Sequence, residues 1–313
     1  MSISAASRSP ALAYVLLTLT SLFWSGNFVL ARAMHASIPP MTLSLGRWLV
    51  ALACLAPFAW PRAWANRAAL KASWRRVVAL GLIGIAGFNT LVYAALQETS
   101  ATNGVLMNSF IPILILLLGA VFWGERLVLR QISGVALSFI GVVVILCQGD
   151  PVLLARLEFN RGDLLMFLAA LDWALYTLVV RGLDPEVDRL GLLGVIIPIG
   201  LLAILPCYGW EVSQGHWVAM TPGNIVTFLY VGLFPSVLAY LFYNRGVAEV
   251  GAARAGAFIH LMPVFGTVLS IVFLDERFRW FHALGVAAIF GGLLISERRR
   301  PAAVVSTPQS ERP

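Results

Sequence analysis

Ten stretches of this chain are apolar for long enough to cross a bilayer, which takes about 20 residues for roughly 30 Å. They fall at about 12–34, 42–60, 76–96, 102–122, 131–148, 163–181, 190–210, 223–245, 252–274 and 281–296. The polar intervals between them are short. Pro39-Pro40, Pro151, Pro185 and Pro222 punctuate four of these connections, as residues that interrupt helices do. The first run resembles a secretory signal, with Arg8 before it and Ala31-Arg32-Ala33 like a cleavage site. It is longer than the apolar part of such a signal and further spans follow, so a retained first helix is expected. The small, polar stretch after Arg300 predicts a disordered tail.

The chain also repeats itself. At an offset of 151, Pro112 falls on Pro263, Glu125 on Glu276, Arg126 on Arg277, Gly134 on Gly285 and Gly141 on Gly292. At an offset of 149, Trp24 falls on Trp173, Arg32 on Arg181 and Pro57 on Pro206. Prolines and glycines are too sparse here for chance to align them. The chain therefore divides into a first five-helix unit (residues 1–150), a second (151–300) and a cytoplasmic tail (301–313). Five is odd, so the second unit enters the membrane from the opposite side. The expected fold is all-α: a polytopic membrane protein of ten transmembrane helices in two inverted five-helix repeats. Many secondary transporters are built this way, because the halves can pack inward-open or outward-open. A duplicated scaffold without transport is the competing reading.

Composition adds the solvent. The 313 residues are 59% hydrophobic and 12% charged, about half the charge of a soluble domain. Two soluble domains, the expectation from length, are excluded; the outer solvent is lipid. A net charge of +7 and a pI near 9.8 would suit a nucleic-acid binder on a soluble fold. Here the basic residues lie between apolar runs, as the positive-inside rule requires. With both termini cytoplasmic, six of the 22 Lys and Arg residues lie outside (Arg32, Arg47, Arg156, Arg161, Arg277, Arg279) and the other 16 inside. Cys54, Cys147 and Cys207 sit in apolar stretches. The histidines (His35, His216, His260, His282) lack ligand spacing, so neither a metal nor a cofactor is indicated.

Particular residues carry a family resemblance. The first helix holds Trp24-Ser25-Gly26-Asn27-Phe28, the second Arg47 in an apolar setting, and the fourth Pro112 followed by Gly124-Glu125-Arg126. The ninth repeats this with Pro263 and Asp275-Glu276-Arg277, with Asp where Gly is usual. Over about residues 10–298 the chain resembles a ten-helix, EamA-type member of the drug/metabolite transporter superfamily. Within it the likeness is to bacterial amino-acid and metabolite exporters, including aromatic amino-acid exporters. The resemblance implies a secondary transporter in the bacterial inner membrane, not an enzyme. Its partners would be a small-molecule substrate and lipid, with no nucleic acid, and it would act as a monomer or weak homodimer.

Polar groups in the spans mark where substrate would bind, since ionisable ones usually face a cavity or a partner. Asn89, Tyr93 and Gln97 share one face of the third helix; Ser236, Tyr240 and Asn244 share one face of the eighth, with Tyr243 alongside. The repeat maps Asn89 onto Tyr240, Tyr93 onto Asn244, and Trp24 and Asn27 onto Trp173 and Tyr176. These groups are expected to line a central cavity; interhelical hydrogen bonding is the alternative. Asp172 has Phe23 as its counterpart. It would carry a proton, contact a substrate ammonium, or pair with Arg32 or Arg47. His260, opposite Ser109, is a further candidate donor or else a packing histidine. Glu125 and Glu276, each beside an arginine, suit loop ties or gates. Pro112 and Pro263 should kink their helices, and the glycines at 81, 84, 87, 134, 141, 285 and 292 should be packing faces.

There is no P-loop, so ATP is not expected to drive the protein directly. No HExxH or Gly-x-Ser pattern marks a membrane hydrolase, which leaves Asp172 and His260 as the thin acid-base set of an enzyme. Proton-coupled export of cationic drugs is a second alternative, but no acid lies between Leu12 and Ala31. The favoured expectation is export of amino acids, aromatic or apolar ones first, by alternating access. Transport would be facilitated or loosely proton-coupled.

Overall fold

A computed structural model gives the fold and describes residues 10–155, 160–274 and 277–297. Ten helices carry it: α1 (Pro10–Ala33), α2 (Pro40–Ala65), α3 (Trp74–Glu98), α4 (Thr102–Trp123), α5 (Leu129–Leu146), α6 (Arg161–Arg181), α7 (Arg189–Ser213), α8 (Pro222–Val250), α9 (Ala252–Leu269, helical on to Leu274) and α10 (Trp280–Glu297). Among the described residues, the first nine are long and apolar enough to span; α10 is a shorter apolar helix. Large apolar side chains face outward, Leu202 at 69% and Leu294 at 63% exposure, a surface suited to lipid and not to water. Glu276, Arg298–Arg300, Arg8 and the tail 301–313 lie outside the described residues.

The inverted repeat is visible in the contacts. A Cβ on Gly134 would lie 2.5 Å from the Gly292 carbonyl, and one on Gly141 would lie 2.6 Å from that of Gly285. The two contacts exchange under the repeat, so α5 and α10 cross on the pseudo-two-fold axis. Likewise Gly81 of α3 packs on Ile199 of α7, and Gly232 of α8 packs on Val50 of α2. His260 Nε2 lies 2.9 Å from the carbonyl of its own counterpart, Ser109.

The helices are irregular at matched places. α3 is π-helical over Gly81–Gly87 and α8 over Leu233–Leu238, which the repeat superimposes. The α-helix of α4 breaks between Asn108 and Ile111, and α9 narrows to a 3₁₀ turn over Phe258–His260. Each break lies just ahead of Pro112 or Pro263, whose ring crowds the preceding turn and whose nitrogen donates no bond. The kinks expected from sequence thus fall one turn upstream of the prolines. Elsewhere prolines are absorbed: Pro57 and Pro61 lie within α2, Pro198 and Pro206 within α7.

Side chains fasten the helix ends. Glu211 accepts from the free backbone N–H groups of Met41 and Thr42 at the start of α2, each at 2.8 Å, where the helix dipole favours an anion. Asp163 forms a capping box with Asn160 at the start of α6 and takes bonds from Thr99 and Asn103.

Gly141→Leu should destabilise the protein by about 1–3 kcal/mol, because the side chain meets backbone that cannot yield. Gly209→Ala, where nothing lies within 4 Å of the new Cβ, should be neutral or slightly stabilising. Thermal unfolding in detergent checks the contrast.

Candidate functional site

Arg47 of α2 is 1% exposed and stands at the centre. Its Nε donates to Ser236 Oγ at 2.8 Å; its Nη1 donates to Asn89 Oδ1 and to the Tyr93 hydroxyl, each at 2.6 Å. Tyr93 passes a bond to Asn27 Oδ1 at 3.0 Å, and Asn89 Nδ2 meets the Tyr240 hydroxyl at 3.3 Å. On the other side, the Tyr176 hydroxyl donates to Asn244 Oδ1 at 2.9 Å. These bonds form a symmetric series. The repeat turns the Asn27–Tyr93 pair into Tyr176–Asn244, with the amide and phenol exchanged, and turns Asn89–Tyr240 into itself.

Aromatic rings pack around this series. Trp24 meets its counterpart Trp173 edge-on at 4.9 Å, and Trp173 also packs on Tyr176 (4.7 Å), Phe88 (4.7 Å), Tyr240 (5.2 Å) and Tyr243 (5.3 Å). The irregular turns hold the rings in place. The Trp24 indole donates to the Pro235 carbonyl at 3.1 Å, and the Tyr240 hydroxyl donates to that of Gly84 at 2.5 Å. Gly84 and Pro235 are themselves repeat counterparts. A Cβ at Gly84 would strike the Tyr176 ring, so glycine is what lets α3 approach α6 here.

The predicted residues separate into three groups. Trp24, Asn27, Asn89, Trp173 and Tyr240 line a central cleft with Phe28, Arg47, Phe88, Asn108, Ile111, Ile259 and Met262. Tyr93 stands one bond behind it; Tyr176, Tyr243 and Asn244 form a second layer, with Tyr243 bonded to Thr177. Asp172 and His260 lie elsewhere. Asp172 faces Gly87 of α3, and the expected pairing with Arg47 does not form, because Arg47 is engaged by three neutral groups. The Arg32 side chain, the other expected partner, lies outside the described residues. His260 is held between Ser109 and Ser138 of α4 and α5; a carbonyl only accepts, so Nε2 carries the proton and Nδ1 takes the Ser138 hydroxyl. Gln97 is exposed near the end of α3. Sequence reasoning noted Arg47 but left it outside the site, and it passed over Asn108. Their signals were an arginine in an apolar helix and an amide four residues before a mid-membrane proline.

The cleft is tight, with room for about 10 Å³, roughly one water. Phe28 and Met262 separate it from a vestibule of about 570 Å³ lined by residues such as Ser25, Thr102, Gln148, Thr267 and Arg279. That vestibule opens at the end remote from the basic α2–α3 connection. Toward the basic end Tyr176, Tyr243 and Asn244 are buried, and nearer the surface Arg181 pairs with Glu125.

Two tandem stretches, residues 11–147 and 160–297, match the EamA-like transporter family. The chain belongs to that family. The EamA chain is 26% identical over 289 residues to the uncharacterized transporter YyaM of Bacillus subtilis (strain 168), covering 90% of this chain and 92% of that one. It is 26% identical over 293 residues to an uncharacterized transporter of Archaeoglobus fulgidus (92% and 98% covered). A probable terminal-alkyne amino-acid exporter of Streptantibioticus cattleyicolor is 25% identical over 284 residues (90% and 92% covered). A crystal structure superposes with a TM-score of 0.71 at 20% identity, covering 91% of this chain and 96% of that one, a likeness of fold. The chain is thus a multi-pass membrane transporter and not an enzyme.

Tyr93→Phe removes a bond to a buried charge and should cost about 1.5–3 kcal/mol; Tyr243→Phe removes a neutral one and should cost about 0.5–1.5 kcal/mol. Unfolding of the two variants in detergent tests the order.

Proposed function

We propose that this EamA transporter exports amino acids, aromatic and apolar ones first, or similarly built small metabolites. The observation that carries the reading is the central cleft between the inverted halves. Indole and phenol rings wall it, and Asn27, Asn89 and Asn108 offer hydrogen bonds within it. Amides can bind the polar head of a zwitterion, and aromatic faces suit an apolar side chain or a cation. The relative named as a probable amino-acid exporter supports the same reading.

Direction follows from charge. The connection with Arg62, Arg67, Lys71, Arg75 and Arg76 belongs in the cytoplasm by the positive-inside rule, which puts both termini there. The host membrane is then the bacterial cytoplasmic membrane, and the vestibule faces outward. The Arg181–Glu125 pair closes the cytoplasmic side, and transport proceeds by exchange between the two packings. Asp172 lies outside the cleft lining, so flux down a gradient, or loosely coupled to protons, is the mechanism. A single chain holds the whole cleft, in keeping with a monomer or weak homodimer.

Purified protein in liposomes should pass amino acids without ATP. No uptake above empty vesicles for any amino acid overturns the reading. A quaternary cation carried only with a pH gradient would favour a proton-coupled drug exporter instead. Asp172→Asn should leave most downhill flux intact; complete loss in a folded variant would assign Asp172 to coupling or to the substrate.

A further inference from the structure

We infer that the cleft is built for a substrate bearing a carboxylate, and that Arg47 is the residue that receives it. The inference rests on the transport reading above and deepens it by fixing the charge of the substrate's head. Arginine is a cation with five N–H donors and no acceptor, so Arg47 brings a positive charge into the interior of the helix bundle. Among the described residues no acid lies within 4.0 Å of it. Ser236, Asn89 and Tyr93 solvate the guanidinium as water would, but they leave its charge uncompensated. A buried charge in that condition costs several kcal/mol. A protein needing only a strut between α2, α3 and α8 would be served by a neutral side chain.

The geometry leaves a place for the missing anion. The three bonds use Nε and Nη1; among the described residues none uses Nη2, and Arg47 borders the cleft. Two N–H donors therefore remain for a ligand. Asn108 borders the same cleft, and its Oδ1 is buried without a hydrogen-bond partner, an acceptor suited to an ammonium group. The repeat maps Arg47 onto Ile196 and Asn108 onto Ile259. The polar ends thus belong to the first half alone, and a carboxylate-headed substrate has one orientation, its apolar part against Trp173 and Ile259.

The test uses the whole purified protein and matched ligands: phenylalanine, phenylalaninamide, phenethylamine, 3-phenylpropionate, leucine and leucinamide. Binding is read from the ligand-induced rise in unfolding temperature. Each acid should bind at least about tenfold more tightly than its amide, the size of one charge-assisted bond. Arg47→Gln should erase that difference, Arg47→Lys should keep part of it, and Asp172→Asn should leave it intact. Amides that bind the wild type as well as the acids overturn the inference, as does an Arg47→Gln variant that keeps the preference. The wild-type series decides alone if Arg47→Gln does not fold. If 3-phenylpropionate binds and no amino acid does, the carboxylate site stands and amino-acid export falls. If amino acids are carried and amides compete equally, export stands and the carboxylate site falls. No binding by any member overturns both.

Discussion

Within a bilayer core, a backbone carbonyl released from its helix has no water to turn to, so a protein group must take it. In this protein side chains reach backbone carbonyls at four irregular places, at or beside the π segments of α3 and α8 and the breaks ahead of Pro112 and Pro263. Gly84 O takes the Tyr240 hydroxyl, Ile85 O takes Asn89, Pro235 O takes Trp24, and Val231 O takes Ser236. Ser109 O takes His260 and Phe258 O takes Ser21. The side chains at the first two places are those that build the cleft or hold Arg47. The irregular backbone and the site are therefore one construction. Straightening α3 or α8 would free Tyr240, Asn89, Trp24 and Ser236 from the geometry that aims them.

Much of this was legible because the repeat is written in rare residues. Pro112 and Pro263, with the paired glycines, fixed the register of the halves, and the register matched Trp24 with Trp173 and Asn89 with Tyr240. The π segments were not legible. Apolar periodicity has no mark for one widened turn, and Gly81, Gly84 and Gly87 read equally well as a packing face. Equal i, i+4 spacing also placed Gln97 with Asn89 and Tyr93, although the end of α3 carries it to the surface. Apolar composition also ended α2 too soon: the helix runs on to Ala65, held against the start of α7 by Trp60 Nε1 on the Gly194 carbonyl and by Arg62 on Asp188.

The pairing expected of Asp172 failed for an instructive reason. Sequence reasoning matched an acid to the available arginines by charge. The fold engages Nε and Nη1 of Arg47 with a serine, an asparagine and a tyrosine from two other helices, and the partner set of a buried cation cannot be read from the list of nearby acids. Arg47 and Asn108 matter for the same reason as Asp172 was expected to. They break the symmetry, having Ile196 and Ile259 as counterparts, but they do so on the cleft wall.

Under the alternating access proposed above, that asymmetry bears on how the two packings would stay balanced. When inverted halves exchange conformations, each contact becomes its repeat image. The Asn89–Tyr240 bond and the Trp24–Trp173 contact become themselves, and the Asn27–Tyr93 bond becomes Tyr176–Asn244, a bond of the same chemistry. These terms cancel between the two states, which keeps the gap small enough for a ligand to bridge with its differential affinity. The bonds from Arg47 to Asn89, Tyr93 and Ser236 do not cancel, because Ile196 offers the other half nothing equivalent. Whatever changes the charge balance at Arg47 therefore acts on a term that the symmetry leaves exposed, and under the carboxylate proposal the residue that receives the substrate would also be the one whose occupancy biases the direction the protein faces.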